Sequence, residues 1–417
     1  MQPTFYSSHD RRQGILTILF FALVLVLAGC GRQNAAASAD KVKATVPAAR
    51  AATPVVRPTA TPKATATSQP KLVFLPALRN PAPTATPTPT PEPPTPTPTA
   101  TPFPPGPPSK LGVFVGRNDP QVFRLLRTGN LRVVKTLEYD PNFVGEIKQV
   151  DADVFVVARY TPLPLPSFDN WDPLAAAGAF ADLLLPIATE PRRLAAIDCW
   201  EAYNEPVVAN EEEMSKLAAF EAERIRLLAE AGVKSCVGNF GAGQPPLELW
   251  PAFFPALAAA QEYGGYLALH EYSAPYLWFG TGEYQNHPTG NEGDEGWLTL
   301  RYRKVYRAYL EPAGLVIPLV ITEAGIDGLV GNRPGPPSAR GWQEFGDFWR
   351  GEEVVGTSVF GFYMEQLAWY DAELARDDYV IGAAIFALAA PQGWTSYEIG
   401  GDWLGIFEQY LSVHPPK

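Results

Sequence analysis

From Lys110 to the C-terminus the chain carries eight short apolar runs separated by stretches with helical spacing, and that alternation limits the folds open to it. The runs are 111–116, 131–137, 153–159, 195–203, 233–239, 265–271, 316–322 and 379–388. They lack the strict in–out alternation of a sheet with one wet face. Near-continuous apolar runs are what parallel strands need when helices cover them. Helices are predicted at about 173–185, 211–231, 297–311, 358–377 and 403–411. The clearest, 211–231, follows Asn210, a suitable N-cap, and places Glu211, Glu212 and Glu213 where they complement the helix dipole. Eight strands with intervening helices over about 300 residues fit an α/β fold of the (β/α)8 TIM-barrel type, usually ~250 residues plus insertions. A doubly wound sheet is the alternative. It more often shows a glycine-rich phosphate loop after its first strand, and Gly112 and Gly116 lack that spacing.

The residues before Lys110 belong to a different physical regime. Arg11 and Arg12 precede an apolar stretch, Ile15 to Leu27, too short to be a comfortable membrane span. It ends in Leu27-Ala28-Gly29-Cys30, which resembles the bacterial lipoprotein signal. That resemblance implies export, cleavage, lipidation of Cys30 and anchoring to a membrane of the cell envelope. Residues 31–109 read as a disordered spacer, Ala/Thr/Lys-rich at first and then a Thr-Pro tract from Pro81 to Pro108. Such sequence cannot bury a core and favours extended polyproline II. At ~3.1 Å per residue the 28-residue tract reaches roughly 90 Å. A short apolar piece, Leu72 to Leu78, interrupts it without an evident function. The expected organisation is therefore a signal over 1–30, a linker over 31–109 and a barrel over 110–417.

Composition excludes some classes of activity. The net charge of −11 argues against nucleic acid as a partner, because phosphate binding needs a basic face. Of four histidines only His270 falls at a predicted strand end, so the clustered ligands of a metallohydrolase are not expected, and no cofactor is implied. Cys199 and Cys236 lie in apolar runs, where buried free thiols are the plainer reading; a disulfide stays open if their strands are neighbours.

In a barrel, functional side chains come from the C-terminal ends of the strands. Those ends carry Arg159-Tyr160 (strand three), Asn204-Glu205 (four), His270-Glu271-Tyr272 (six) and Glu323 (seven), with Trp394 in the loop after strand eight. Polar and aromatic residues gather there while the strand bodies stay apolar. Each has a structural alternative: a packed tryptophan, a satisfied histidine, an arginine paired with an interior acid.

Trp200-Glu201-Ala202-Tyr203-Asn204-Glu205-Pro206 resembles the Asn-Glu-Pro motif on strand four of glycoside hydrolase clan A, the retaining (β/α)8 glycosidases. Ile321-Thr322-Glu323-Ala324-Gly325 is similar to its strand-seven nucleophile motif, and His270-x-Tyr272 to its strand-six pattern. The resemblance spans about 110–413 and implies Glu205 as general acid/base and Glu323 as nucleophile. It further implies Asn204 on the sugar 2-hydroxyl, Tyr272 on the nucleophile and Trp394 under the sugar, with Trp200 and His270 grouped among the substrate-binding residues. The clan usually has an arginine on strand two; here that strand offers Lys135 and Glu138, and Arg159 on strand three is the candidate substitute.

The chemistry stands apart from the family name. Retaining glycoside hydrolysis needs two carboxyl groups about 5–5.5 Å apart, one ionised and one protonated. Strands four and seven of one barrel can aim side chains across its mouth at such a distance, and unequal burial splits their pKa values. The expected protein is a monomer acting on a β-linked saccharide outside the cell. A carbohydrate-binding protein without turnover, and an adhesion lipoprotein with the barrel as a stable head, are the readings from other classes. Tyr276, Trp278, Phe279 and Tyr284, in the loop 274–296, are candidates to line subsites.

Overall fold

The computed structural model describes residues 106–160, 164–281, 294–331, 333–352 and 358–414. The signal with Cys30, the spacer as far as residue 105 with Leu72 to Leu78, and Tyr284 lie outside them. All eight expected strands form: β1 Leu111–Val115, β2 Val133–Thr136, β3 Phe155–Arg159, β4 Cys199–Glu201, β5 Cys236–Phe240, β6 Tyr266–Ser273, β7 Leu319–Ile326 and β8 Val380–Leu388. They pair in parallel in the order β4-β3-β2-β1-β8-β7-β6-β5. The two outer strands of that order meet through a parallel bridge between Trp200 and Ser235. The sheet thus closes on itself. A doubly wound sheet keeps two free edges, so this is the (β/α)8 barrel.

Helices follow the strands: α1 Gln121–Leu126, α2 Pro141–Val150, α3 Pro173–Ala188, α4 Pro191–Ala196, α5 Glu211–Glu230, α6 Trp250–Tyr263, α7 Arg301–Val305, α8 Gly346–Gly351, α9 Val359–Leu374 and α10 Leu404–Ser412. Local chemistry sets their starts. Asp140 and Asp172 accept from backbone N–H groups of α2 and α3, each ahead of a proline at the first helical position. Asn210 caps α5 by accepting from Glu213 N, as its sequence suggests, and Glu213 reaches back to Ala209 N at 2.7 Å. The segment expected as a helix over 297–311 behaves differently. It becomes helical only at Arg301 and passes into π conformation over Tyr306–Leu310. The late start has a cause: the buried Glu271 carboxylate accepts from Leu300 N (2.9 Å) and Tyr302 N (3.3 Å), and so acts as the cap from a neighbouring strand.

The barrel interior is layered. At its base Val133, Val157, Cys199, Cys236, Ala268, Val320 and Ala384 form one apolar cluster, one residue from each of β2 to β8. β1 contributes Gly112, where a Cβ would lie 2.0 Å from the Val133 carbonyl oxygen. Above this layer Lys135 and Glu201 form a fully buried ion pair. The outward-facing residues of the strands join the helices in a second, larger apolar cluster.

β4 is three residues long, so the β4–β5 seam has the least backbone pairing. Three devices close it. Trp200 N donates to Lys234 O at 3.0 Å. The Arg224 guanidinium of α5 donates to Trp200 O (3.2 Å) and Cys236 O (2.8 Å), one carbonyl on each strand, while Glu221 holds it at 2.6 Å. Cys199 and Cys236 form a disulfide across the seam, their Cα atoms 5.5 Å apart. This corrects the plainer reading of the two as free thiols. Both face inward from adjacent strands in the same layer, which brings the sulfurs together.

Removing one partner of a buried ion pair leaves the other uncompensated. Arg224→Met is therefore expected to cost about 3–5 kcal/mol in denaturant unfolding, and the Arg224→Met/Glu221→Leu double replacement to recover most of that. A loss below about 1 kcal/mol for the single variant would contradict the role given to Arg224.

Candidate active site

Strand parity decides which side chains reach the mouth of the barrel. On β6, Ala268 faces inward, so His270 and Tyr272 do too, while Glu271 turns outward to the start of α7. On β7 strict alternation from Val320 would turn Glu323 outward. A register shift between Ile321 and Ala324 against β8, matched by one opposite β6, inserts an extra residue and re-aims Glu323 into the barrel. β4 needs no bulge but ends early. Glu205 lies beyond it at φ 46°, a region few residues other than glycine occupy, with its N–H donating to Asn239 O on β5 at 3.0 Å. Gly241 leaves the space beside it; a Cβ there would lie 3.2 Å from the Glu205 carboxyl carbon.

These elements bring Glu205, His270 and Glu323 together. His270 Nδ1 is 2.8 Å from Glu205 Oε1 and 3.7 Å from Glu323 Oε2. One oxygen of each glutamate and the imidazole nitrogen all lie within 4.8 Å of one another. The group holds one histidine, where a metallohydrolase site was expected to need several. Three such groups could in principle face a cation, but Glu323 is already engaged through both oxygens. Arg159 Nη1 donates to its Oε1 at 3.0 Å and Tyr272 OH to its Oε2 at 2.9 Å. A guanidinium already held by the nucleophile candidate makes this donor set better suited to holding negative charge and moving protons than to holding a metal.

The two carboxyl groups sit in unlike surroundings. The Glu323 side chain is 9% exposed, and burial alone would push its pKa up. His270, Arg159 and Lys135, with the Tyr272 hydrogen bond, outweigh burial and hold it below the ordinary carboxylate value. Glu205 keeps 43% of its side chain in solvent. Burial, then the charges of Glu323, Glu205 and Asp327, drive the Tyr272 phenol well above its usual range, so it remains a hydrogen-bond donor.

Other expected residues fall as follows. Asn204 is exposed beside Glu205, with its Oδ1 against Arg159 Nη1. Arg159 thus ties the end of β3 to both Asn204 and Glu323. Trp394 is half-buried, packed on Phe386 and Tyr397, with the Arg340 guanidinium 6.0 Å from its ring centroid. Its loop is anchored by Glu398, which accepts from Ala389 N and Ala390 N, and by Arg117, which donates to Ala390 O. Trp200 is a correction. It is 1% exposed and packs on Tyr139 in the cluster between sheet and helices. With Cys199 and Glu201 facing inward, Trp200 must face out, so it leaves the substrate-binding set. Tyr276 and Trp278 stack on each other and pack on Phe362, while Trp278 also meets Trp369.

Lys135, named in the sequence only as what strand two offers in place of an arginine, lies beneath Glu323 and is among the groups that lower its pKa. Two residues at the site were not singled out from sequence. Phe386 shares the inward parity of Ala384 and touches Tyr272 and Trp394. Asp327, just past β7, accepts from Tyr397 OH at 2.7 Å, and burial, opposed by its hydrogen bonds, raises its pKa.

No protein-family model matches the chain, and no curated protein matches it either. Among solved structures it is similar to a β-D-glucuronidase from Dictyoglomus thermophilum, with TM-score 0.43 and 13% identity over 74% of this chain. The chain spans about half, 51%, of that enzyme's length. It is similar also to a GH128 (subgroup II) endo-β-1,3-glucanase from Pseudomonas viridiflava, with TM-score 0.39, 16% identity, and 74% of this chain and 98% of that one covered. A third is CJP38, a β-1,3-glucanase and allergen of Cryptomeria japonica pollen, with TM-score 0.42, 14% identity and the same 74% and 98% coverage.

Arg159 is among the charges that lower the Glu323 pKa, so its loss must raise it. In Arg159→Met the Glu323 carboxyl titration, followed by 13C NMR, is expected to move to higher pH. An unmoved titration would show that Arg159 does not act on Glu323.

Proposed function

We propose that this chain is a retaining glycoside hydrolase that cleaves a β-linked poly- or oligosaccharide by double displacement. One observation carries the reading. Two carboxylates from β7 and the β4 loop approach within 4.8 Å at the barrel mouth, one buried among cations and the other open to solvent. That separation suits direct attack by one carboxylate; an inverting pair stands about 6.5–9.5 Å apart to leave room for water.

In the proposed first step Glu323, held ionised, attacks the anomeric carbon, while protonated Glu205 gives its proton to the departing glycosidic oxygen. The products are a glycosyl ester on Glu323 and the released alcohol. In the second step Glu205, now a carboxylate, takes a proton from water, the water oxygen bonds to the anomeric carbon, and Glu323 leaves. Two inversions give retention. Tyr272 and Arg159 fix the nucleophile's orientation. Asn204 has its Oδ1 committed to Arg159, which leaves its N–H2 free to donate to the sugar 2-hydroxyl. Trp394 and Phe386 offer the apolar surface on which a pyranose face packs.

The full chain is assayed on aryl β-glycosides and on β-glucan, β-mannan and xylan, beside Glu205→Ala and Glu323→Ala. Turnover that falls at least about 10³-fold in the Glu323 variant, and about 10²-fold or more in the Glu205 variant, is expected. NMR should show the β-anomer first. Tight binding to one glycan in all three proteins, with no hydrolysis, would replace the enzyme by a binding protein.

Export and a lipid anchor at Cys30 are part of the proposal. The Cys199–Cys236 disulfide supports the first, because such bonds persist in oxidising compartments. Palmitate labelling that survives Cys30→Ser would sink the second.

A further inference from the structure

Beside His270 a cavity of about 10 Å³ opens between the end of β5, α6 and α7. Its lining includes His270, Glu271, Trp250 and Arg301, each at most 6% exposed. Three buried nitrogens of this lining make no hydrogen bond to any described group: His270 Nε2, Trp250 Nε1 and Arg301 Nε. Arg301 is otherwise fixed, its Nη2 donating to Pro245 O at 2.7 Å. Leaving one such group buried and unpaired costs about 1–3 kcal/mol, so three of them on residues lining one cavity call for a partner.

We infer that this cavity is a binding site for one water molecule, which sets the tautomer of His270 and through it the hydrogen bond to Glu205. The volume is that of a single water, and a buried water typically makes two to four hydrogen bonds. The count of donors then fixes its orientation. Trp250 Nε1–H and Arg301 Nε–H can only donate, and they fill both lone pairs of the water. Both of its hydrogens must therefore point to acceptors. With both lone pairs taken, His270 Nε2 can meet the water only as an acceptor; Gln244 and the Glu271 carboxylate, which already accepts from Leu300, Tyr302 and Arg301 N–H groups and from Tyr370 OH, are the further acceptors in the lining. A water that donates to Nε2 places the imidazole proton on Nδ1. That nitrogen lies 2.8 Å from Glu205 Oε1, so His270 donates to Glu205 and leaves Oε2 as the site of the transferable proton. Trp250 and Arg301 are thereby positioning residues that act through a water and an imidazole.

Glu205 from the β4 loop and Glu323 from β7 face the His270 imidazole, while Glu271, and Arg301 and Tyr302 from α7, line the cavity with it. Glu271 is raised to about 7, chiefly by burial, while Leu300 N, Tyr370 OH and Tyr302 N oppose that shift. Below that pH it gains a proton and ceases to require the water's second hydrogen.

The inference rests on the glycosidase reading only for its kinetic consequence; the tautomer can be measured without turnover. The test uses the full chain labelled with 15N-histidine, as wild type and as Trp250→Phe, which removes one N–H and keeps an aromatic ring. The wild type is expected to show His270 protonated at Nδ1, with Nε2 shifted as a hydrogen-bond acceptor. In Trp250→Phe the Nε2–H form should appear. In the same variant kcat/KM should fall about two- to tenfold, the worth of one hydrogen bond, with KM little changed and the pH profile displaced. Because Trp250 is fully buried, Arg301→Gln, which removes the Nε–H from the other side, is measured alongside. Nε2–H in the wild type, or tautomer and pH profile unchanged in both variants, would overturn the inference. Absence of turnover on every glycoside would count against the glycosidase reading, and the NMR result would still decide this one.

Discussion

The closure of the barrel between β4 and β5 is the constraint on which the site depends. β4 is too short to hold its neighbour by backbone pairing alone, and the chain compensates with a covalent bond and a buried guanidinium. The short strand has a chemical use. By ending at Glu201 it frees the next four residues to turn over the barrel rim, where Glu205 adopts its positive φ and fastens its N–H to the end of β5. A longer β4 would keep alternating and spread Asn204 and Glu205 onto opposite faces. The seam and the proposed acid are two sides of one arrangement.

Polarity rises along the barrel axis from the apolar base, through the Lys135–Glu201 pair, to the mouth. Buried ion pairs contribute little net stability. Here the arrangement places Lys135 below Glu323, and Arg159 adds its charge from the side. Low dielectric makes such charges count for more than they would in water. Glu205 lacks that surrounding cage and faces solvent, so protons can reach it. In the proposed mechanism two identical side chains take different duties from where the backbone leaves them.

The architecture was legible because parallel strands under helices must be apolar on both faces, and all eight runs appear within a few residues of their expected positions. Glu205 and Glu323 were legible as strand-end carboxylates, and the structure brings them together. Three features were hidden, each because it depends on a partner distant in sequence. The bulge that turns Glu323 inward arises from register between neighbouring strands. The start of α7 is set by Glu271, 29 residues upstream of Leu300. The disulfide needs the knowledge that β4 and β5 adjoin. Trp200 is a different case. Its outward direction follows from parity once Glu201 is placed inside, but the motif around it drew attention to the mouth.

The central claim is that Glu323 forms a covalent bond to sugar. It is tested most directly with an activated 2-deoxy-2-fluoro β-glycoside of whichever sugar the chain hydrolyses, followed by peptide mass spectrometry. The account predicts one glycosyl adduct per chain, on the peptide containing Glu323 and on that carboxylate. The adduct should form in Glu205→Ala as well, since a good leaving group needs no acid. An unlabelled chain that still turns over its substrate, or an adduct on Glu205, would contradict it.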